Sequence, residues 1–351
     1  MTIHEVARAA GVSPSTVSNL LNGRADRMHP ATRARVESAI ARLGYRPNRA
    51  ARQLRTGRIQ VIGLVVPSVG NPFWGGMARA LEVAALAGGY HVLLCNSERD
   101  PDRERRYLEA LYHDGIRGVV LGSSLPSLEH ITPMIENGLH VVAFDRVAQP
   151  TDPSALINIG VDNAAGAEAA TEHVIGLGHR RLAFVSGSLA SVNRQERFRG
   201  FQAAVTRSGI PASDVTVWRG ADNPDFGDVR AAELGRAAAR ELLDGPRPPT
   251  AVVAVNDMCA IGACRGIRDA GLRVPDDVSV TGFDDILLAE LYDPPLTTVR
   301  QPLTDMATHT FARLRARIER DPDLAPDPAP ARPTLMVRAS TAPPPPHGQR
   351  R

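Results

Sequence analysis

Apolar positions recur at two different periods along this 351-residue chain, and the change falls near residue 60. In the first 45 residues the spacing is helical. Val6 and Ala10 share one face, Val17, Leu20 and Leu21 another, and Val36, Ile40 and Leu43 a third. The helix ends are marked as well. Thr2 and Glu5 have the spacing of a capping box, which satisfies two free amides at a helix start. Gly11 suits the left-handed conformation that ends a helix. Ser13 stands where a cap belongs, and Pro14 takes the first helical position, where its missing amide costs nothing. The pattern predicts two short helices joined by a tight glycine turn, the sequence form of a helix-turn-helix. A third helix follows from about Pro30 to Leu43, closed by Gly44.

From Gln60 onward, short continuous apolar runs alternate with amphipathic stretches. Runs at Val61–Val66, Val92–Cys95, Gly118–Leu121 and Val141–Phe144 alternate with helical segments near 75–87, 103–113 and 128–137. The alternation then restarts, with runs at Leu156–Val161, Leu182–Val185, Val215–Trp218, Ala251–Val255 and Val278–Thr281 among helical segments near 164–177, 196–207, 229–243 and 258–270. Alternating strand and helix means parallel sheet covered on both faces. The fold class is therefore α/β: an N-terminal all-α helix-turn-helix headpiece, then a core of two doubly wound parallel-sheet subdomains with a cleft between them. Between headpiece and core, Pro47 and Gly57 bracket about two helical turns, too few to hold a helix alone. The stretch from Ala342 to Arg351 is proline-rich and is predicted to be a disordered tail.

Charge sharpens the picture. Residues 1–58 hold 11 Arg and three acids, a net of +8, whereas the whole chain is +3 and the remainder therefore −5. A basic head on a mildly acidic body is the electrostatic footprint of a phosphate-backbone partner. All 41 Lys+Arg positions are arginine, which excludes a Walker-type lysine, a Schiff-base lysine and a lysine general base. Cys95, Cys259 and Cys264 match no zinc or redox spacing, so no metal or cofactor is expected and the cysteines read as small core residues. There is no G-x-G-x-x-G after a strand and no G-x-S-x-G, and His173 and His179 read as helix-surface and turn residues rather than catalytic bases. With no apolar signal segment and no long apolar run, a cytoplasmic protein without membrane partners is expected.

Ten stretches, in order, carry a family resemblance: HEVARAAGVSPSTVSNLLNG, GYRPNRAARQL, VPSVGNPFW, AFDR, GLGHRRLAFVSG, RFRGF, AVVAVNDMCAIG, VSVTGFDD, PPLTTVRQP and MVRAST. On these the chain resembles the LacI/GalR family of bacterial transcription regulators from Thr2 to about Thr341. The resemblance implies a homodimer that binds operator DNA under control of a small effector, with a periplasmic-binding-protein-like core. It implies a headpiece over 1–46, a hinge helix over 47–58 and a core over 59–341. The first subdomain would take about 59–158 and 296–322, the second about 159–293 and 330–341. The helix near 302–320 should thus fall in the first subdomain and the strand near 335–339 in the second. The proline-rich tail offers no leucine heptad, which argues for a dimer over a tetramer.

The resemblance also implies roles. Pro14, Ser15 and Asn19 would read bases, while Ser13, Thr16 and Ser18 supply hydroxyls to phosphates, with Thr2 and Asn22 flanking the motif. Asn19 departs from the arginine or histidine often found there, and asparagine pairs best with adenine N6/N7. Asn48, Arg49, Arg52, Leu54 and Arg55 match the hinge helix, with Leu54 as a minor-groove wedge. In the cleft, Phe73, Trp74, Asp145, Arg197, Asn256 and Asp284 would contact a sugar or sugar derivative, whose hydroxyls need Asp, Asn and Arg partners and whose ring needs an aromatic face. Aspartates at strand ends also cap helices, a reading that suits Asp257 and Asp285. Many relatives carry an aromatic in the stretch that here reads Gly220-Ala-Asp-Asn-Pro. This chain offers Asp222 instead, so an aromatic sandwich is not expected. A purine effector is the alternative, as is a co-repressor mode. A transport-type receptor or an enzyme on the same fold is the rival class.

Overall fold

The computed structural model describes residues 2–21, 25, 28–45, 60–220, 230–321 and 329–345. They form two compact units, residues 1–59 and 60–351.

In the first unit, helices α1 (Ile3–Ala10), α2 (Pro14–Leu21) and α3 (Pro30–Leu43) enclose a small core of Val6, Ala7, Ala10, Val17, Val36 and Ala39. Leu20, Ile40 and Leu43 pack on it only partly buried. The alanines allow the helix axes to approach, a contribution that apolar periodicity alone does not reveal. The capping box at α1 is formed in both directions: Thr2 N–H donates to Glu5 Oε2 at 2.7 Å, and Glu5 N–H donates to Thr2 Oγ1 at 3.4 Å. Gly11 takes φ 62°, the left-handed conformation that lets the chain turn sharply into α2.

The second unit opens with β1 (Val61–Val66), α4 (Pro72–Ala87), β2 (His91–Asn96), α5 (Pro101–His113), β3 (Gly118–Leu121), the single-turn α6 (Thr132–Glu136), β4 (His140–Phe144) and β5 (Ile157–Ile159). These five strands form one parallel sheet in the order β2-β1-β3-β4-β5. The strand pattern placed residues 156–161 at the head of the second run. The structure corrects this: β5 pairs with β4, Val142 opposite Ile157, and closes the first sheet.

The chain then builds α7 (Asn163–Gly176), β6 (Leu182–Val185), α8 (Val192–Arg207), β7 (Val215–Trp218), α9 (Ala231–Leu243), β8 (Ala251–Ala254), α10 (Asp257–Asp269), β9 (Ser279–Thr281) and the short α11 (Leu287–Leu291). The second parallel sheet has the order β7-β6-β8-β9. The path crosses between subdomains more than once. After β10 (Thr298–Arg300), α12 (Leu303–Glu319) packs its buried Met306, Phe311 and Leu314 on α4, β3 and β4 of the first subdomain. Then β11 (Thr334–Met336) pairs antiparallel with β10 and lies against α7 of the second.

The inner strands of both sheets are buried on both faces, so they read as unbroken apolar runs rather than as alternation, whereas the edge strands β2 and β7 are only partly buried. Residues 342–345 are described, and Ala342 is not part of a loose tail. Its carbonyl accepts from His179 Nε2 at 2.8 Å and from Ser279 Oγ at 3.0 Å, and its N–H donates to Ser279 Oγ at 3.0 Å.

Candidate functional site

Helix α2 is anchored by Val17, which is fully buried, and by Leu20 and Leu21 beside it. The opposite face carries the polar side chains. Ser13 caps the helix: Thr16 N–H donates to Ser13 Oγ at 3.2 Å, and that oxygen lies 2.7 Å from Ser15 Oγ and 2.9 Å from Thr16 Oγ1. Ser13, Ser15 and Asn19 are exposed, and Pro14 and Thr16 half-buried. Ser18 differs: at 8% exposure it sits against the headpiece core and offers little surface to a phosphate. Thr2 is exposed and engaged with Glu5, whose carboxyl is held below its ordinary range mainly by the Thr2 backbone amide. Arg8, Arg33, Arg35 and Arg42 project to solvent from α1 and α3. Asn22, Asn48, Arg49, Arg52, Leu54 and Arg55 lie outside the described residues.

In the second unit, polar side chains from both subdomains line one cavity: Asn71, Arg99 and Asp145 from the first, and Asn193, Arg194, Arg197, Asn256 and Asp284 from the second, with Phe73, Trp74 and Val255 as apolar walls. The positions follow from topology. Asp145 ends β4, Asn256 ends β8, and Asp284 lies three residues beyond β9, so all sit at the carboxyl ends of parallel strands, where open α/β sheets bind ligands. Asp145 and Asp284 have φ of 60° and 119°, and Arg99 has φ 57°. Such backbone is costly for residues with a Cβ and persists where the surrounding fold enforces it, commonly at binding sites.

The charged groups hold one another. Asn193 Nδ2 donates to Asp145 Oδ2 at 2.7 Å, across the two subdomains. Arg197 donates from Nε to Asn163 Oδ1 at 2.7 Å, from Nη1 to the Val255 carbonyl at 2.8 Å and from Nη2 to Asp284 Oδ1 at 3.4 Å, with its guanidinium 3.7 Å above the Phe283 ring. Gln301 Nε2 also donates to Asp284 Oδ1, at 2.9 Å. Trp74 is packed edge-on between Phe73 and Phe144, at centroid distances of 5.1 and 6.1 Å. A side chain at Gly122 would strike its ring at 2.5 Å. The space left is about 20 Å³, room for roughly one water. A sugar-sized ligand therefore enters only if the Asn193–Asp145 contact parts and the subdomains separate. A larger hollow of about 780 Å³ lies between α4 and α12, but Arg79 and Arg315 are its only charged lining groups, so it lacks the converging polar set.

Asp257 and Asp285 serve the fold. Asp257 is fully buried, accepts from Ile286 N–H at 2.9 Å and bonds the Thr298 hydroxyl. Burial, then the nearby Asp284 charge, raises its carboxyl well above the ordinary range. Asp285 pairs with Arg300 and Arg338. Asn256 does two things: it lines the cavity and caps α10, accepting from Cys259 N–H at 2.9 Å. Asp222 lies outside the described residues.

Two sets of comparisons place this architecture. The model for bacterial regulatory proteins of the lacI family matches residues 2–48, and that for a periplasmic binding protein-like domain matches residues 171–341. The HTH-type transcriptional regulator DegA of Bacillus subtilis (strain 168) is 32% identical over 97% of this chain and 98% of its own. The ribose operon repressor of Escherichia coli (strain K12) is 34% identical over 97% and 99%. The chain belongs to the LacI family. Its members are DNA-binding regulators of transcription, and this one carries both of their parts. Among solved structures, the lac repressor dimer bound to operator and the anti-inducer ONPF superposes with a TM-score of 0.83 at 26% identity, covering 97% of this chain and 99% of that one. The complex of the transcriptional regulator CelR with cellobiose gives 0.66 at 31%, with the same coverage.

Sequence reasoning missed four polar residues of this LacI-family cleft. Asn193 and Arg194 had a readable signal: Ser191 caps α8, and Arg194 and Arg197 are three apart, on one helical face. Asn71 is the N-cap of α4, accepting from Phe73 N–H at 3.1 Å, and its capping role masks its place in the cavity. Arg99 had no local signal, because only the left-handed turn at Glu98–Arg99 brings it in. His179 also needs correction. It is not a surface turn residue but 1% exposed, held by Thr250 Oγ1 at 2.9 Å and the Ala342 carbonyl. Among the described residues no cluster of His, Cys, Asp and Glu could hold a metal, and no helix is long and apolar enough to cross a membrane. Burial pushes the Cys259 and Cys264 thiols up to about 12, which leaves them unreactive.

Proposed function

We propose that this protein is a repressor that binds a pseudo-palindromic operator as a homodimer and is released by a sugar or sugar-derivative effector, acting in the cytoplasm on chromosomal DNA. The observation that carries the reading is the pairing, in one chain, of an exposed hydroxyl-and-amide face on α2 with a buried Asp145–Arg197–Asp284 cleft between two subdomains. The first suits base edges and phosphates; the second suits vicinal hydroxyls. The ribose operon repressor and the CelR–cellobiose complex among its relatives support a sugar. The cleft is assigned to binding, not catalysis.

A second copy is favoured by the edge strand β2, which leaves Leu93 and Leu94 nearly half exposed, and by α11, where Leu287 and Leu291 are 74% and 69% exposed. An uncovered apolar sheet edge invites pairing, and two symmetric headpieces imply two symmetric half-sites. Effector and operator act on one chain, so a change in the cleft would be read out as a change in DNA affinity. Ligand and DNA must then oppose each other reciprocally.

The test selects the preferred DNA from a randomised pool with the full-length protein, then titrates sugars and purines against the complex. A palindromic site released by a carbohydrate supports the reading. Release by purines alone replaces the effector class, and DNA binding strengthened by ligand replaces repression by induction with a co-repressor.

A further inference from the structure

The first turn of α8 reaches across the cleft at two successive residues. Val192 N–H donates to the Ser124 carbonyl at 2.7 Å, and Asn193 Nδ2 donates to Asp145 Oδ2 at 2.7 Å. Ser124 and Asp145 belong to the first subdomain, and α8 to the second. Ser191, the N-cap of α8, sets the geometry: its hydroxyl donates to Asn193 Oδ1 at 2.7 Å, which turns the amide nitrogen of Asn193 toward the aspartate. All five residues are buried. The first N–H groups of a helix have no partner inside the helix, and here one of them is spent on the opposite wall. Asp145 lines the effector cavity and keeps a left-handed backbone at φ 60°. The amide of Asn193 therefore donates to a carboxylate at which a ligand hydroxyl would donate.

We propose that the first turn of α8 is an internal stand-in for the effector. Asn193 occupies Asp145, Val192 N–H holds Ser124, and the empty cleft is latched shut until the effector displaces Asn193. The proposal rests on the cleft as the effector site, not on the effector being a sugar. Two consequences follow from the geometry. The cleft holding an effector is wider than the empty one, because the present space of about 20 Å³ takes roughly one water. Measured affinity is the intrinsic affinity reduced by the fraction of open molecules. Deleting a latch bond that makes no ligand contact therefore tightens effector binding, whereas deleting a ligand contact or a prop of the site weakens it.

The experiment uses the full-length protein and two variants. Asn193→Ala removes the bond to Asp145. Val192→Pro removes only the N–H that reaches Ser124 and leaves every polar side chain of the lining in place. Proline is tolerated at the first position of a helix, and Ser191, at φ −112° and ψ 144°, already has the extended backbone that proline requires before it. Two readouts need no ligand. In a Trp218→Phe background, Trp74 is the only tryptophan left, and it lines the cavity at 3% exposure. Acrylamide should quench it severalfold more strongly in both variants than in the parent. The Val192 amide should exchange slowly in the parent and about tenfold or more faster in Asn193→Ala, the scale of one hydrogen bond to a charged group. Calorimetry with D-ribose, D-galactose and cellobiose gives the third readout: any sugar that binds the parent should bind Val192→Pro several-fold more tightly. Fast Val192 exchange in the parent, or Trp74 quenching unchanged in both variants, would overturn the latch. Weaker sugar binding by Val192→Pro would also overturn it, and would make the first turn of α8 a prop of the site. If none of the three sugars binds, quenching and exchange still decide the latch, and only the choice of a sugar as effector loses support.

Discussion

The recognition face of α2 and the effector cleft are both polar, yet they hold their polar groups in opposite ways. On α2 the groups are exposed and local. Ser13, Ser15 and Asn19 lie within seven residues of sequence, and the helix is fixed from behind by Val17. In the cleft the groups are buried and distant in sequence. Arg197 meets Asp284 and Asn193 meets Asp145, and each group is already satisfied by another. The contrast teaches what each site can exchange. The helix face gives up water and at most the short-range bonds among Ser13, Ser15 and Thr16 when it meets DNA, so its selectivity rests on geometry. The cleft must give up protein contacts, so its ligand has to replace them with bonds at least as good, and binding is coupled to separation of the subdomains.

The largest expected effect lies at the centre of that self-satisfied network. Arg197→Ala removes the guanidinium partner that Asp284, only 5% exposed, has beside Gln301, and frees Asn163 and the Val255 carbonyl at once. Breaking one side of a buried pair costs about 3–5 kcal/mol. Denaturant unfolding of the second unit should show that loss, with effector binding gone. If Arg197→Ala unfolds like the parent, the cleft is not held by this network.

Asp145→Ala is milder because Asn193, which donates to it, keeps its bond from Ser191. It should cost effector binding about 1.5–3 kcal/mol while operator affinity without effector stays within a factor of about two, since distant sites act nearly independently. Calorimetry with the effector and a DNA-binding titration read the two separately. Equal loss in both would mean that Asp145 supports the fold rather than the ligand.

The two regions were also unequally legible. The headpiece could be read because its capping box, its glycine at φ 62° and its apolar faces are all local. The α/β alternation was legible because buried parallel strands must be apolar on both faces. What was not legible was membership. Nothing in residues 156–161 says that β5 hydrogen-bonds backward to β4 instead of opening the next sheet. In the cleft, six of the seven expected ligand residues share one cavity, the seventh being Asp222, outside the described residues. Arg99 escaped because a two-residue left-handed turn, invisible to periodicity, aims it inward. His179 was misread because its partners, Thr250, Ser279 and Ala342, lie at least 71 residues away.

On the exposed side, Asn19→Arg should switch the preferred base at one position of each half-site, with discrimination of about 1–3 kcal/mol. Arg35→Ala should weaken all sequences evenly, as a phosphate contact does. Selection from a randomised pool separates these outcomes. A changed affinity with an unchanged preferred base would remove Asn19 from the reading set.

A pH series sharpens the contrast within the core. Burial lowers the His179 imidazole from its ordinary value, with His173 nearby lowered for the same reason. The folded form then binds the proton less readily than the unfolded chain. Its stabilising contribution is complete above the ordinary histidine value of about 6.5 and fades as pH falls through the lower folded value. Melting of the second unit should therefore drop between pH 7 and 5. His179→Gln should reduce that slope, leaving the parts due to His173 and to His140, which burial and then the Arg317 and Arg320 charges lower. A slope unchanged by His179→Gln would show that the anchoring of Ala342 does not depend on the neutral ring.

The smallest effect belongs to the headpiece. Thr2→Ala deletes the hydroxyl that accepts from Glu5 N–H at 3.4 Å, a long bond on an exposed helix end. Loss of such a cap costs about 1 kcal/mol. In the core that would be a minor dent. Among its described residues the headpiece has six buried apolar side chains to oppose it, four of them from α1 and its neighbour α2, so the first turn of α1 should fray. Amide exchange across residues 3–6 should quicken and operator affinity fall severalfold, with effector affinity unaltered. Thr2→Ser keeps the acceptor oxygen and should recover both. If Thr2→Ser fails to recover operator affinity while exchange returns to the parent rate, the threonine methyl touches DNA and the residue acts at the interface, not through the cap. If neither variant changes exchange, the capping box is redundant, and the headpiece owes its shape to the apolar core alone.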